Sequence, residues 1–158
     1  MTHSLEATYY RTALLLGLVR GEEVHRWAER VIEREPLPPH ELLDLVSTPS
    51  TDLSALRYAL WPLAVEPEPP SVLRAMFALL HADLESGRRG VPDTVTVVRQ
   101  MRSMLRLPAG LYAELNAALV AQSTVATAVP DWLRSFADDH LELLRSADPA
   151  PDCDAGAP

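Results

Sequence analysis

The sequence predicts an all-α fold, a single-domain orthogonal bundle of seven or eight short-to-medium helices. In the segment 22–35 an apolar stripe recurs at i, i+3, i+4, i+7 and i+8, and it consists of Val24, Trp27, Ala28, Val31 and Ile32. A strand cannot present this period, so the stripe predicts a helix that faces the core. Proline or glycine separates the helical segments, and no run of five residues alternates convincingly between apolar and polar side chains.

Eight helical segments follow from this punctuation, and in chain order they cover 5–19, 22–35, 39–47, 52–64, 71–86, 92–107, 111–128 and the residues from 130 onwards. Ser4 can cap the first helix, and Ser50 or Thr51 can cap the fourth, because a side-chain oxygen can accept from a free backbone N–H there. Pro39 and Pro92 stand where the first turn of a helix tolerates proline.

Several elements carry more specific expectations. Gly21 is expected to end the first helix, which has one apolar side formed by Leu5, Tyr9, Thr12, Leu16 and Val19. The β-branched run 94–98 is expected to be helical, since a lone strand would have no partner. The Ala-rich segment 111–128 is expected to be a central, heavily buried helix. Candidates for burial in the last helix are Trp132, Leu133, Phe136, Leu141 and Leu144.

The predicted domain covers residues 1–147, and residues 148–158 are expected to form a disordered tail without apolar periodicity. No residue pattern recurs at a fixed period, which disfavours a helical-repeat architecture. The single cysteine, Cys153, lies in this tail and has no partner for a disulfide. The longest charge-free run, 115–130, is too short and too polar to span a bilayer, so a cytoplasmic location is expected.

Composition and charge narrow the classes of partner. All 14 basic residues are arginine, and lysine is absent, a bias typical of a GC-rich, bacterial genome. The net charge of −8 disfavours nucleic-acid binding, because an acidic chain repels the phosphate backbone. Arg99, Arg102 and Arg106 form a basic stripe, which we interpret as a solvated helix face. The same acidic charge suits a soluble protein or one that binds a basic partner.

No residue constellation predicts catalysis, a cofactor or a metal. Glu22 and His25 have the Glu-x-x-His spacing of di-iron bundles, but no second copy accompanies them. In the run His81, Asp83 and Glu85, each spacing of two directs successive side chains to different faces of a helix. Neighbouring helix positions likewise separate the side chains of the segment 138–140. We therefore expect a protein that is not an enzyme.

A partner-binding surface is predicted around two acidic zones. The segment 35–70 holds six acids and one arginine, and the segment from Asp131 to the C-terminus holds seven acids and two arginines. Aromatic anchors rimmed by charge are typical of protein interfaces. The predicted partner-binding residues are Tyr58, Trp61, Glu66 and Glu68. The alternative is that Trp61 fills the core.

The segment 14–46 resembles the N-terminal half of small all-helical bacterial proteins of the toxin-immunity type. The residues that carry the resemblance are Gly17, Leu18, Val19, Glu23, Val24, Trp27, Ala28, Ile32, Glu33, Pro38 and Pro39. This resemblance implies a protein that neutralises a cognate toxin by occlusion. Acidic loops around 35–70 would meet a basic toxin surface, and reversing Glu66 and Glu68 to arginine is expected to slow association. The alternatives are a structural or regulatory adaptor with a helical-repeat-like surface, or a helical enzyme or small-ligand sensor with a pocket lined by His81 or His140.

Overall fold

The computed structural model describes residues 3–66, 68–122 and 127–139, and these residues contain eight α-helices and no strand. The helices are α1 (His3–Leu15), α2 (Gly21–Arg34), α3 (His40–Ser47), α4 (Leu53–Leu60), α5 (Pro70–Glu85), α6 (Val91–Met104), α7 (Ala109–Gln122) and α8 (Ala128–Asp139), with a 3-10 turn at Trp61–Leu63. The predicted all-α class is confirmed. The β-branched run 94–98 lies within α6, as expected.

The first helix ends earlier than the sequence predicted, and a different glycine ends it. Gly17 adopts a φ of 65°, the left-handed conformation that glycine reaches without steric cost. The N–H groups of Gly17 and Leu18 donate to the carbonyls of Leu14 and Ala13 at 3.2 and 2.8 Å, which is a Schellman motif. The expectation that Gly21 ends α1 is wrong, since Gly21 is the first residue of α2.

The cap of α4 also differs from the prediction. The expected cap was Ser50 or Thr51, but the Asp52 carboxylate accepts the bond from the Ala55 N–H at 2.9 Å. Asp52 stands directly before the first helical residue, the position from which a carboxylate reaches the third helical N–H. The same position favours its charge, because the helix dipole is positive there.

Two hydrophobic clusters form the core, and α1 contributes to both. The first cluster joins α1 to α2, α3 and α4, and it contains four of the predicted stripe residues, Val24, Trp27, Ala28 and Val31. Ile32, the fifth, is only partly buried and packs against this cluster. The second cluster joins α1 to α5, α6, α7 and α8. Because α1 lies between the clusters, it buries residues on several sides, and the prediction of a single apolar side is wrong.

The central helices are α1 and α5, not α7. The buried set of α7 is Leu115, Ala118 and Leu119, and the expectation that this helix is heavily buried is therefore wrong. Alanine is hydrophobic by composition, yet it adds little apolar area and is tolerated at exposed helix positions. In α8 the side chains of Leu133 and Phe136 are buried, and Trp132 packs beside them. Leu141, Leu144, His140 and the tail 148–158 lie outside the described residues.

Candidate partner-binding groove

The four residues predicted to bind a partner line one groove of about 330 Å³. This groove lies between α1, α4 with its 3-10 turn, the segment 64–68 and the last residue of α6. Tyr58 and Trp61 contribute the aromatic wall, and Glu66 and Glu68 line the groove from the connection to α5. The remaining lining residues are Arg11, Thr12, Leu15, Ser54, Arg57 and Met104.

One face of α4 supplies the aromatic wall. Four lining residues of this face, at i, i+3, i+4 and i+7, are Ser54, Arg57, Tyr58 and Trp61. On the opposite face Leu56 and Leu60 are fully buried in the first hydrophobic cluster. As a result, Tyr58 is 83% exposed and Trp61 is 59% exposed. The alternative that Trp61 fills the core is therefore wrong.

A buried arginine organises the floor of the groove. Arg11 is only 8% exposed, and its Nη1 lies 2.7 Å from Glu66 Oε1 in an ionic contact too bent for a hydrogen bond. Its Nη2 lies 3.6 Å from Glu68 Oε1, and its Cζ lies 4.6 Å from the centre of the Trp61 ring. A guanidinium over an indole face is a favourable cation–π arrangement. Arg11 thus connects both carboxylates to the aromatic wall.

A hydrogen bond from the backbone fixes the segment that carries the two glutamates. The N–H of Val65 donates to Thr8 Oγ1 at 2.8 Å, and this hydroxyl donates in turn to the Ser4 carbonyl at 2.7 Å. Sequence reasoning missed both Thr8 and Arg11. A usable signal existed for Arg11, since it is the one charged residue between Ala7 and Leu18 in an otherwise apolar and neutral stretch. A charge in such a stretch is buried only when it is paired.

A second lining residue that the sequence did not indicate is Thr12. The residue is only 1% exposed, and its Oγ1 has no hydrogen-bond partner among the described residues. A buried hydroxyl without a partner is unusual, because its desolvation costs about 1–3 kcal/mol. Thr12 therefore lines the groove while its hydroxyl oxygen is buried.

Most of the acidic side chains in the segment 35–70 already have partners within the chain. Glu35 contacts His3, and Glu41 lies 3.3 Å from His40. Asp52 caps α4, and Arg11 holds the last two glutamates of the segment. Charge reversal at positions 66 and 68 would place two guanidinium groups beside buried Arg11, so that variant would lose fold stability as well as negative charge.

Other candidate residues of the sequence contact polar neighbours in the structure. His81 lies 3.9 Å from Glu85, whose carboxylate is also 3.6 Å from Arg134. Arg102 donates to Asn116 Oδ1 at 2.9 Å and thereby connects α6 to α7. Within residues 3–66, 68–122 and 127–139, no three His, Cys, Asp or Glu side chains are placed to hold a metal ion.

The chain matches no protein-family model, no curated protein and no solved structure. Among the helices of the described ranges, none has the length and apolar character needed to cross a membrane.

Proposed function

We propose that the chain is a non-enzymatic protein-binding protein of the bacterial cytoplasm, and that it is an immunity protein which neutralises a cognate toxin by occlusion. The groove formed by α1, α4 and the segment 64–68 is the proposed binding surface. The observation that carries this proposal is the exposure of two large aromatic side chains, Tyr58 and Trp61, on one wall.

Exposed aromatic side chains on a rigid element favour protein binding. Tyrosine and tryptophan are enriched among the residues that dominate binding energy, since they bury a large area for little loss of side-chain entropy. The helix that carries them is held by Leu56 and Leu60, both fully buried, and by the Asp52 cap. Met104, at 52% exposure, adds a third exposed apolar side chain to the groove lining from the end of α6.

The charge of the chain supports a basic partner. A net charge of −8 attracts a cationic protein at long range and raises its association rate. The resemblance of the segment 14–46 to toxin-immunity proteins supports a toxin as that partner. Occlusion needs no reactive group on this chain, because a bound protein blocks the toxin's site by its volume alone.

Affinity capture with two matched variants tests the proposal. The tagged wild type, the double variant Tyr58→Ser/Trp61→Ser and the control Tyr112→Ser are each used to capture proteins from the native lysate. Tyr112 is a suitable control, since it is 47% exposed on α7 outside the groove. We expect one stoichiometric partner with the wild type and the control, and at least about tenfold less with the double variant.

A growth assay then separates immunity from other kinds of binding. The captured partner, expressed alone, should stop growth, and co-expression of the wild type should restore it where the double variant does not. Several non-toxic partners would instead indicate a structural or regulatory adaptor. A folded protein that captures nothing and retains a small molecule would contradict the proposal and favour a ligand sensor.

A further inference from the structure

We propose that residues 140–144 continue α8 as a helix and cover a second groove, at the end of the bundle where α5 and α7 begin. This groove has a volume of about 220 Å³, and Pro70, Leu73, Pro108, Leu111 and Phe136 are in its lining. It shares none of its described lining residues with the groove formed by α1, α4 and the segment 64–68, so the proposal is independent of the protein-binding function.

The direction of α8 along α7 carries the chain towards this groove. Near the start of α8, the N–H of Val129 donates to Oε1 of Gln122, the last residue of α7, at 3.1 Å. Further along α8, Phe136 lines the groove together with Leu111, which lies in the first turn of α7. The two helices are therefore antiparallel, and a continued α8 would pass the first turn of α7.

The direction of α8 along α5 is the same. The rings of Trp132 and Phe77 have their centres 5.3 Å apart. Phe136, one turn later in α8, lines the groove with Leu73, one turn earlier in α5. Because an α-helix rises about 1.5 Å per residue, a continuation to Leu143 would extend about 10 Å beyond Phe136. That length leads past the beginnings of both α5 and α7.

The spacing of apolar residues favours this continuation. Val129, Leu133 and Phe136 are buried at helical spacing on one face of α8. At about 100° per residue, Leu143 falls within about 20° of Phe136 around the helix axis, whereas Leu141 falls about 140° away. A side chain on a helix leans towards the N-terminus and covers the turn before its own Cα. Leu143 would therefore lie over the space directly beyond Phe136.

The lining of the groove suits a leucine side chain. Pro70 and Pro108 are exposed to solvent, and Leu111 is half-buried. The charged lining residues are Arg74 and Glu114, one cation and one anion, so the described lining has no net charge that an apolar occupant would cover. A leucine placed here removes apolar area from water on both sides of the contact, and this favours docking.

The occupant is a segment of the same chain because that segment begins beside the groove. Phe136 lines the groove and stands three residues before Asp139, the last residue of α8, and residues 140–158 follow. A tethered segment has an effective concentration on the order of millimolar, whereas a second copy or another protein must bind from dilute solution. The tethered segment is therefore favoured over both.

Disulfide trapping in the full chain tests the proposal. Cys153→Ser removes the natural cysteine, and two pairs are compared at low protein concentration in a glutathione redox buffer: Leu111→Cys with Leu143→Cys, and Leu111→Cys with Leu141→Cys. Two cysteines form a disulfide only when their Cα atoms come within about 7 Å. We expect the monomer of the first pair to cross-link at least about tenfold faster than the monomer of the second, which is the matched control.

A second measurement keeps the native side chains. In the wild-type chain with labelled leucine methyl groups, we expect nuclear Overhauser contacts between Leu143 and Leu111, and these decide the question if a cysteine variant fails to fold. Equal cross-linking rates in the two pairs, or the absence of these methyl contacts, would overturn the proposal. Cross-links that form between chains and rise with protein concentration would also overturn it, since a second copy would then cover the groove.

Discussion

Replacement of Gly21 by alanine tests how tightly α2 packs against the loop before α4. The φ of Gly21 is not positive, so the backbone conformation does not require glycine. The close approach of the Ser50 carbonyl requires glycine instead, because an added Cβ would lie 1.9 Å from that oxygen and 2.8 Å from Leu56 Cδ1. A carbon and a carbonyl oxygen ordinarily stay about 3.3 Å apart, so the two elements would have to separate by about 1.4 Å.

The size of the effect follows from what must move. The Ser50 carbonyl belongs to the backbone of the turn that leads into the Asp52 cap, where the Asp52 N–H donates to the Pro49 carbonyl at 3.0 Å. The Ser50 carbonyl cannot rotate away as a flexible side chain would, because it is part of the backbone. Overpacking costs about 1–3 kcal/mol, and a backbone obstacle places this site at the upper end. The higher helix propensity of alanine offsets at most about 1 kcal/mol of this cost, so we expect the free energy of unfolding to fall by about 2 kcal/mol.

Two other glycines serve as matched controls. An added Cβ meets nothing within 4 Å at Gly110 or at Gly17. Gly110→Ala should stabilise the protein by about 0.5 kcal/mol, since the unfolded chain loses freedom. Gly17→Ala should destabilise it by about 1 kcal/mol, because alanine is disfavoured at a φ of 65°.

Urea denaturation, followed by helical circular dichroism at 222 nm, gives the free energy of unfolding for the four proteins. The expected order of stability is Gly110→Ala, wild type, Gly17→Ala and then Gly21→Ala, and the last should melt roughly 4–8 °C below wild type. A loss of less than about 0.5 kcal/mol in Gly21→Ala would refute the reasoning, since it would mean that α2 and the loop before α4 separate freely.

Two further predictions concern the ion pairs of the groove and the first hydrophobic cluster. Arg11→Met removes the guanidinium that pairs with the largely buried Glu68, and we expect the free energy of unfolding measured in urea to fall by about 3 kcal/mol. Adding Glu68→Gln should recover part of this loss, because it removes the buried charge. An unchanged urea midpoint in Arg11→Met would show that Arg11 does not stabilise the fold. Burial raises the pKa of Tyr10 above its ordinary value of 10.0, and Arg30 only partly offsets this rise. The unfolded chain therefore releases this proton first, and the contribution of Tyr10 to stability is present below about pH 10 and lost as pH rises further. Urea denaturation at several pH values measures this effect: Tyr10→Phe should lose less stability than the wild type between about pH 8 and about pH 11, and an equal loss in both proteins would contradict the prediction.

The candidate site was partly predictable, and Trp61 shows where the prediction stops. The sequence placed Tyr58 and Trp61 three residues apart, close to two acids, and both aromatic side chains are exposed in the structure. Whether Trp61 faced the core depended on which side of α4 met α1. Both Leu60 and Trp61 are large and apolar, so hydrophobic spacing alone does not choose between them.

The groove itself joins residues that are far apart in the chain. Arg11 lies more than fifty residues before Glu66, and Met104 is the last residue of α6, a helix whose buried residues belong to the other hydrophobic cluster. No local rule predicts that Arg11 pairs with two glutamates of a distant connection, or that Thr12 is buried. These contacts exist because α1 packs against α4 and α5 at once.

The sequence by itself determined the all-α class, the existence of each helix and most of their limits, because these depend on interactions within about four residues. Apolar period, proline in first turns and glycine after last turns all act at that range. Only the tertiary structure decided that Gly21 must lack a side chain, that α1 rather than α7 is central, and that Glu66 and Glu68 share one buried arginine. Those outcomes depend on which helix faces contact each other, and contacts between distant segments leave no pattern at any fixed spacing in the chain.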